Sequence, residues 1–204
     1  MSARGKLITI EGVDGAGKSS HLQAIADALG AGGHDVVVTR EPGGTVLAER
    51  LRKTILEEPM QPLAETLLVF AARADHVSKK IKPALEAGSW VVCDRFTDAT
   101  FAYQGAGKGV PAEFIQRLAD AAHPGLRPDL TLVFDCSYEV ARQRLAASGK
   151  ALDRFEREDR AFFERVRAAY LALAAAEPAR VRIIDASKDP AAIRKALAPH
   201  LELR

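Results

Sequence analysis

A glycine-rich octet holds a lysine, a serine and a carboxylate: Gly12-Val13-Asp14-Gly15-Ala16-Gly17-Lys18-Ser19, with Ser20 directly behind it. The spacing G-x-x-x-x-G-K-[ST] is that of a phosphate-binding P-loop. Backbone N–H groups, least hindered at Gly15 and Gly17, converge on nucleotide phosphates. Lys18 would neutralise the β- and γ-phosphates, and the Ser19 hydroxyl would ligate Mg²⁺. A second chemical pair is Asp94-Arg95, closing an apolar run. A carboxylate at the tip of such a strand is placed to hold Mg²⁺, directly or through water, and Arg95 offers a planar fork for a second phosphate. Asp135, closing another run, is a rival metal ligand; the arginine beside Asp94 favours Asp94. A third feature, Arg40-Glu41-Pro42-Gly43-Gly44-Thr45, reads as a tight turn whose backbone can approach a ligand, with Thr45 capping the next helix.

These groups need elements to position them. Apolar runs at residues 7–10, 36–39, 90–93, 130–134 and 181–184 read as strands. They are continuous rather than alternating, which indicates a sheet covered on both faces, hence parallel βαβ units. Leu22, Ile25, Ala26 and Leu29 fall at i, i+3, i+4, i+7 behind the octet, before Gly30. Further helical faces carry Leu47, Leu51 and Ile55, then Leu63, Leu67, Phe70 and Ala71. The expected fold is a three-layer α/β/α P-loop domain with a five-stranded parallel sheet, one domain over 1–204. Two stretches resist periodicity. Residues 97–110 carry Gly105, Gly107 and Gly109 after Phe101 and Tyr103, and residues 146–160 are charged, with Ser148-Gly149 breaking the preceding helix. Both follow strands on the side where open α/β sheets bind ligands, so each is a candidate substrate loop or lid.

Composition narrows the classes. Lys+Arg 29 against Asp+Glu 27 leaves a net charge of +2, without the basic excess of a general nucleic-acid binder. Cys93 and Cys136 sit inside apolar runs and read as core residues in a reducing compartment. Residues 1–6 lead at once into the first strand, leaving no signal peptide expected. The longest apolar run, 168–176, is far short of a membrane span. A cytoplasmic protein is the expectation.

Taken together the motifs resemble those of the thymidylate kinases, which phosphorylate dTMP with ATP. The resemblance is carried by residues 11–19, 40–45, Phe70-Ala71-Ala72-Arg73, Asp94-Arg95-Phe96, Ala102-Tyr103-Gln104-Gly105 and Leu152-Asp153-Arg154-Phe155-Glu156, in family order across nearly the whole chain. It implies that residues 12–20 hold the ATP phosphates and that Asp14 holds the dTMP 3′-hydroxyl. Arg95 would bind the dTMP phosphate, with Asp94 assisting Mg²⁺. It further implies that Phe70 stacks on thymine, Arg73 donates to O4, Gln104 reads the base edge and Tyr103 crowds the sugar 2′ position, with Glu41 and Thr100 completing the dTMP site. With Gly15 in the P-loop, the resemblance places the catalytic arginine in the lid, where Arg144, Lys150 and Arg154 are available and Arg154 is favoured. A homodimer is also implied. Two other readings stay open on the residues: a kinase for another monophosphate or small acceptor, and an ATP-binding regulator without transfer chemistry.

Overall fold

A computed structural model describes residues 4–202; the reading of residues 1–3 lies outside them. Five parallel strands form one sheet in the order β2-β3-β1-β4-β5. They are β1 (Leu7–Gly12), β2 (Val36–Arg40), β3 (Trp90–Asp94), β4 (Leu130–Asp135) and β5 (Val181–Asp185). Each expected strand is present and runs one or two residues further at its carboxyl end. Those added residues include Glu11, Arg40, Asp94 and Asp135, so the polar tips lie along one edge of the sheet. In register, β1 places Ile10 beside Asp94, and Gly12 beside Phe134.

The continuous apolar strands feed two layers. Ile8, Ile10, Val92, Leu132 and Phe134 face a cluster with Ile25 and Leu29 of α1 (Ser19–Ala31). Their alternates Leu7, Val91 and Cys93 face Val77, Ile81 and Leu85 on the other side. Burying a side chain of this size is worth about 1.5–3 kcal/mol, so a one-residue slip of β1 would forfeit several such contacts on both faces. Cys93 and Cys136 are buried and unpaired, as their apolar settings imply.

The helical layers depart from expectation in two places. Residues 97–107 of the stretch are helix rather than loop, and only 108–110 are irregular: α5 (Thr97–Thr100) runs into a wide π-type turn, Phe101–Gly107. The glycines there serve close packing. A Cβ on Gly107 would lie 2.5 Å from the Phe162 ring of α8 (Arg160–Ala176). The second departure concerns α2 (Val46–Glu57) and α3 (Pro62–His76). Ala48 and Ile55 point inward on α2, and Val69, Phe70, Ala72 and Arg73 do so on α3, whereas Leu47, Leu63 and Leu67 are exposed. The apolar faces read from the sequence are therefore split: Ile55 and Phe70 enter the core, while Leu47, Leu63 and Leu67 lie on the surface. α3 continues through a π turn (Val77–Ile81) into α4 (Lys82–Glu86), the widened turn falling just before Pro83, which has no N–H to donate. α6 (Ala112–Ala122), α7 (Tyr138–Ala147) and α9 (Pro190–Leu201) complete the layers. Between α7 and α8 the chain makes only turns, over the stretch expected as a lid. No helix of the described residues is long and apolar enough to cross a membrane.

Candidate active site

The P-loop joins β1 to α1, and its glycines are required by backbone shape. Gly15 has φ +79°, and a Cβ there would lie 2.5 Å from the carbonyl oxygen of Ala141. Lys18 stands at the start of α1 and folds back on the loop, donating to the carbonyls of Gly12 (3.0 Å) and Val13 (2.8 Å). Burial, and then the nearby Arg95, push its ammonium down to about 8. The helix N-terminus, the loop amides and this cation make one anion-binding surface. Gly15, Gly17, Lys18, Ser19 and Ser20 line an open hollow with Asp94, Arg95, Arg144 and Lys150.

Arg95 adopts φ +69°, unusual for a side-chain-bearing residue. The turn is held by Glu11, which is fully buried and accepts from the Phe96 N–H and the Tyr170 hydroxyl, both at 2.7 Å. Burial and the neighbouring Asp98 raise its carboxyl to about 8. Held in this way, the Arg95 fork donates to the Gly12 carbonyl (2.8 Å), to Asp14 (2.5 Å) and to the Tyr103 hydroxyl (2.9 Å). Tyr103 in turn donates to Asp14 (2.9 Å). Burial works against the Asp14 charge, yet Arg95 and Lys18 hold its carboxyl below the usual range.

The two metal candidates separate cleanly. Asp135 is gripped by both nitrogens of the Arg167 fork, at 2.6 and 2.9 Å. Asp94 has a buried Oδ1 with no partner and lines the same hollow as Ser19. An orphaned buried carboxylate oxygen beside a phosphate loop fits a hydrated divalent cation. Among the described residues no three His, Cys, Asp or Glu side chains gather into a metal cage, so phosphate oxygens and water would supply the remaining ligands.

Beyond Arg95 the hollow opens into a cleft of about 580 Å³, solvent at its mouth included. Seven of the eight residues expected to meet dTMP line it: Asp14, Glu41, Arg73, Arg95, Thr100, Tyr103 and Gln104. Arg73 is 2% exposed and heavily held. Its Nε donates to Glu41 (2.6 Å) and its Nη2 to the Phe96 carbonyl and Thr100 (both 3.1 Å), while Nη1 is buried without a partner. Glu41 is fixed from behind by His76 (2.9 Å), which also meets Thr39 (2.7 Å). The expected cap is present, with Thr45 accepting from the Ala48 N–H.

Two expected residues are placed elsewhere. Phe70 packs into an apolar cluster with Val110, Ile115 and Ala119, and the cleft is lined instead by its neighbour Val69. Residues 70 and 73 do share a helical face, but that face packs on α6, and Arg73 reaches the cleft by extending over the Phe70 ring at 4.7 Å. Arg154, favoured as the lid arginine, points away from the phosphate hollow. It donates to the Ile55 carbonyl and pairs with Glu65, both at 2.5 Å. Of the three lid candidates, Arg144 donates to the P-loop, at the Ala16 carbonyl (3.2 Å), and Lys150 also lines the hollow. Sequence reasoning missed Arg52, Ile55 and Phe155, which line the cleft. Arg52 was hidden because it stands beside the apolar Leu51 and reads as a solvated face.

Comparison with known proteins gives the family. The model of the family described as thymidylate kinase matches residues 10–197. The chain is 55% identical to a thymidylate kinase of Bordetella petrii, over all of this chain and 97% of the relative. It is 53% identical to one from Methylobacillus flagellatus, over 94% of each. A crystal structure of thymidylate kinase from Ehrlichia chaffeensis superposes with a TM-score of 0.79 at 32% identity, covering 98% of this chain and 99% of that one. With a P-loop, a paired Asp-Arg turn and a deep cleft continuous with them, matched from end to end by such relatives, the chain belongs to the thymidylate kinase family.

Proposed function

We infer that the protein transfers the γ-phosphoryl group of ATP to the 5′-phosphate of dTMP, giving dTDP and ADP, a step toward dTTP for DNA synthesis. The observation that carries the acceptor's identity is Arg73: its other donors are occupied and its one unpartnered nitrogen, Nη1, belongs to a residue lining the cleft. An arginine can only donate, so it suits the O4 acceptor of thymine. Gln104 reads the adjoining base edge. Val69, rather than Phe70, gives the cleft its apolar wall beside Phe155. Asp14 and Tyr103, locked together, bound the sugar, and Arg95 receives the acceptor phosphate.

No covalent intermediate is required. Residues 12–20 hold the donor phosphates while Lys18, Arg95 and Arg144 share the charge that spreads over the transferred oxygens. Mg²⁺, held by Ser19 and Asp94, would add Lewis-acid neutralisation of the same charge. The lid over 146–160 excludes water, limiting hydrolysis of ATP. The same reading makes the protein a cytoplasmic homodimer that binds no nucleic acid or membrane. The exposed Val46, Leu47, Leu63 and Leu67 on α2 and α3 support a second copy docking there. A one-chain mass in light scattering would remove that part.

Base preference tests the reading. Cytosine presents an amino donor where thymine presents O4, so dCMP sets donor against a buried guanidinium. Unpaired buried groups cost about 1–3 kcal/mol each, more when charged, so dCMP should be roughly a hundredfold worse than dTMP or poorer still. dUMP lacks one methyl, a contact worth about 1–3 kcal/mol. Steady-state rates should therefore fall in the order dTMP, dUMP, dCMP. Arg73→Ala should flatten the series, and because it removes the cation paired with buried Glu41, leaving only His76 on that carboxylate, it should also cost about 3–5 kcal/mol of stability. Equal rates with dCMP, AMP or GMP in the unaltered protein would transfer the assignment to a general monophosphate kinase.

A further inference from the structure

Glu65, in the first turn of α3, is 0% exposed and is not part of the cleft wall, yet three polar side chains converge on it, two from the π turn and its end and one from the lid. Gln104, on the π turn, donates its Nε2 to Oε1 at 2.7 Å. Lys108 donates to Oε2 at 2.9 Å, and Arg154 of the lid pairs with the same oxygen at 2.5 Å. Lys108 and Arg154 both lie over the Phe155 ring, each 4.5 Å from its centre, and Phe155 faces the cleft alongside Gln104.

A carboxylate flanked by two cations is an acceptor only. It can therefore hold the Gln104 amide in one sense, nitrogen toward Glu65. The carbonyl oxygen is then the atom left for a ligand. A carbonyl accepts, which suits the N3–H of thymine and opposes the N3 lone pair of cytosine. Without Glu65 the amide could turn over, and a turned amide would suit cytosine at that position. The Arg154 pair adds a second consequence, since the oxygen opposite the one that orients Gln104 anchors the lid.

We propose that Glu65 is a positioning residue that sets the donor–acceptor sense of Gln104 and, through Arg154, ties the lid to the base-reading side of the cleft. This rests on the reading of the cleft as a thymine site. It gives base discrimination two separate sources, Arg73 at O4 and the oriented Gln104 at N3. It also explains why an arginine that looks catalytic in the sequence is turned away from the phosphates.

Glu65→Gln, in the full-length protein, tests it. The ratio of kcat/KM for dTMP to that for dCMP should fall at least tenfold, mostly through a higher KM for dTMP. In a Gln104→Leu background the same substitution should leave the ratio where Gln104→Leu alone puts it. Acceptor-independent ATP hydrolysis should rise in Glu65→Gln and in Arg154→Ala, whereas the ratio should change in the first only. A folded Glu65→Gln protein with the unaltered ratio overturns the proposal, as does a further shift of the ratio in the Gln104→Leu background. A wild-type ratio near one would instead overturn the thymine reading itself. If Glu65→Gln does not fold, side-chain amide NMR of the unaltered protein decides. Gln104 Nε2 protons should be protected from exchange before dTMP is added, and freely exchanging protons would overturn the proposal.

Discussion

Arg144→Ala is expected to lower kcat by about 10³, with KM for ATP and dTMP changed severalfold at most. Arginines that stabilise a transferring phosphoryl group are worth about 10³–10⁵ in rate, and Arg144 is the lid-side arginine that reaches the P-loop. It sits near the carboxyl end of α7, on a regular helix, so its position over Gly17 is set by packing rather than by a mobile turn. The effect belongs in kcat because the charge it meets develops only in the transition state. Arg154→Ala should reduce kcat far less, its guanidinium being committed to Ile55 and Glu65. Single-turnover rates of the two variants decide between them. If Arg154→Ala shows the larger loss of kcat, the lid reorganises on binding and the assignment reverts to Arg154. If neither variant loses activity, Lys150 takes the role.

Lys18→Ala should cost 10²–10³ in kcat/KM, the usual price of removing one preorganised charge from a developing oxyanion, while the fold persists. Its ammonium donates to the loop carbonyls of Gly12 and Val13, and the residue is not a member of the apolar clusters on the sheet. A variant retaining more than about a tenth of the activity would contradict the assigned contact. The unaltered protein should carry a matching pH signature. Burial has lowered the Lys18 ammonium to about 8, so its charge is present below that pH and lost above it. For the free enzyme, kcat/KM for ATP should accordingly decline as pH rises through about 8. Saturating ATP brings phosphate charge beside the ammonium, so the decline in kcat should lie at higher pH.

The strands and the P-loop were legible because each rests on a local rule. Short continuous apolar runs bounded by turn residues suit strands covered on both faces, whereas the longer run 168–176 is helix, and residues 12–19 carry their own spacing. The polar tips at Glu11, Arg40 and Asp94 followed from where those runs ended. What could not be read locally was decided by partners distant in sequence. Phe70 and Val69 are adjacent on one helix, and only the packing of α6 decides which is core and which faces the cleft. The helix around Leu63–Phe70 could be suspected from the sequence as a face for a second subunit, but its periodicity alone could not say that Leu63 and Leu67 are exposed while Phe70 is core. The lid has no period at all, so nothing local in the sequence shows that Arg154 is turned toward Glu65, about ninety residues away, while Arg144 on α7 lies by the P-loop. Gly105 and Gly107 read as looseness but serve contact with Ile115 and Phe162.

Phosphorus NMR of a mixture of the protein with ATP, Mg²⁺ and dTMP tests the central claim most directly. The β-phosphate of dTDP should appear as the ATP γ-resonance disappears, in a one-to-one ratio with ADP, and almost no inorganic phosphate should form. Replacing dTMP by AMP should leave ATP essentially intact. ADP and free phosphate accumulating without dTDP, or AMP consumed as readily as dTMP, would contradict the account.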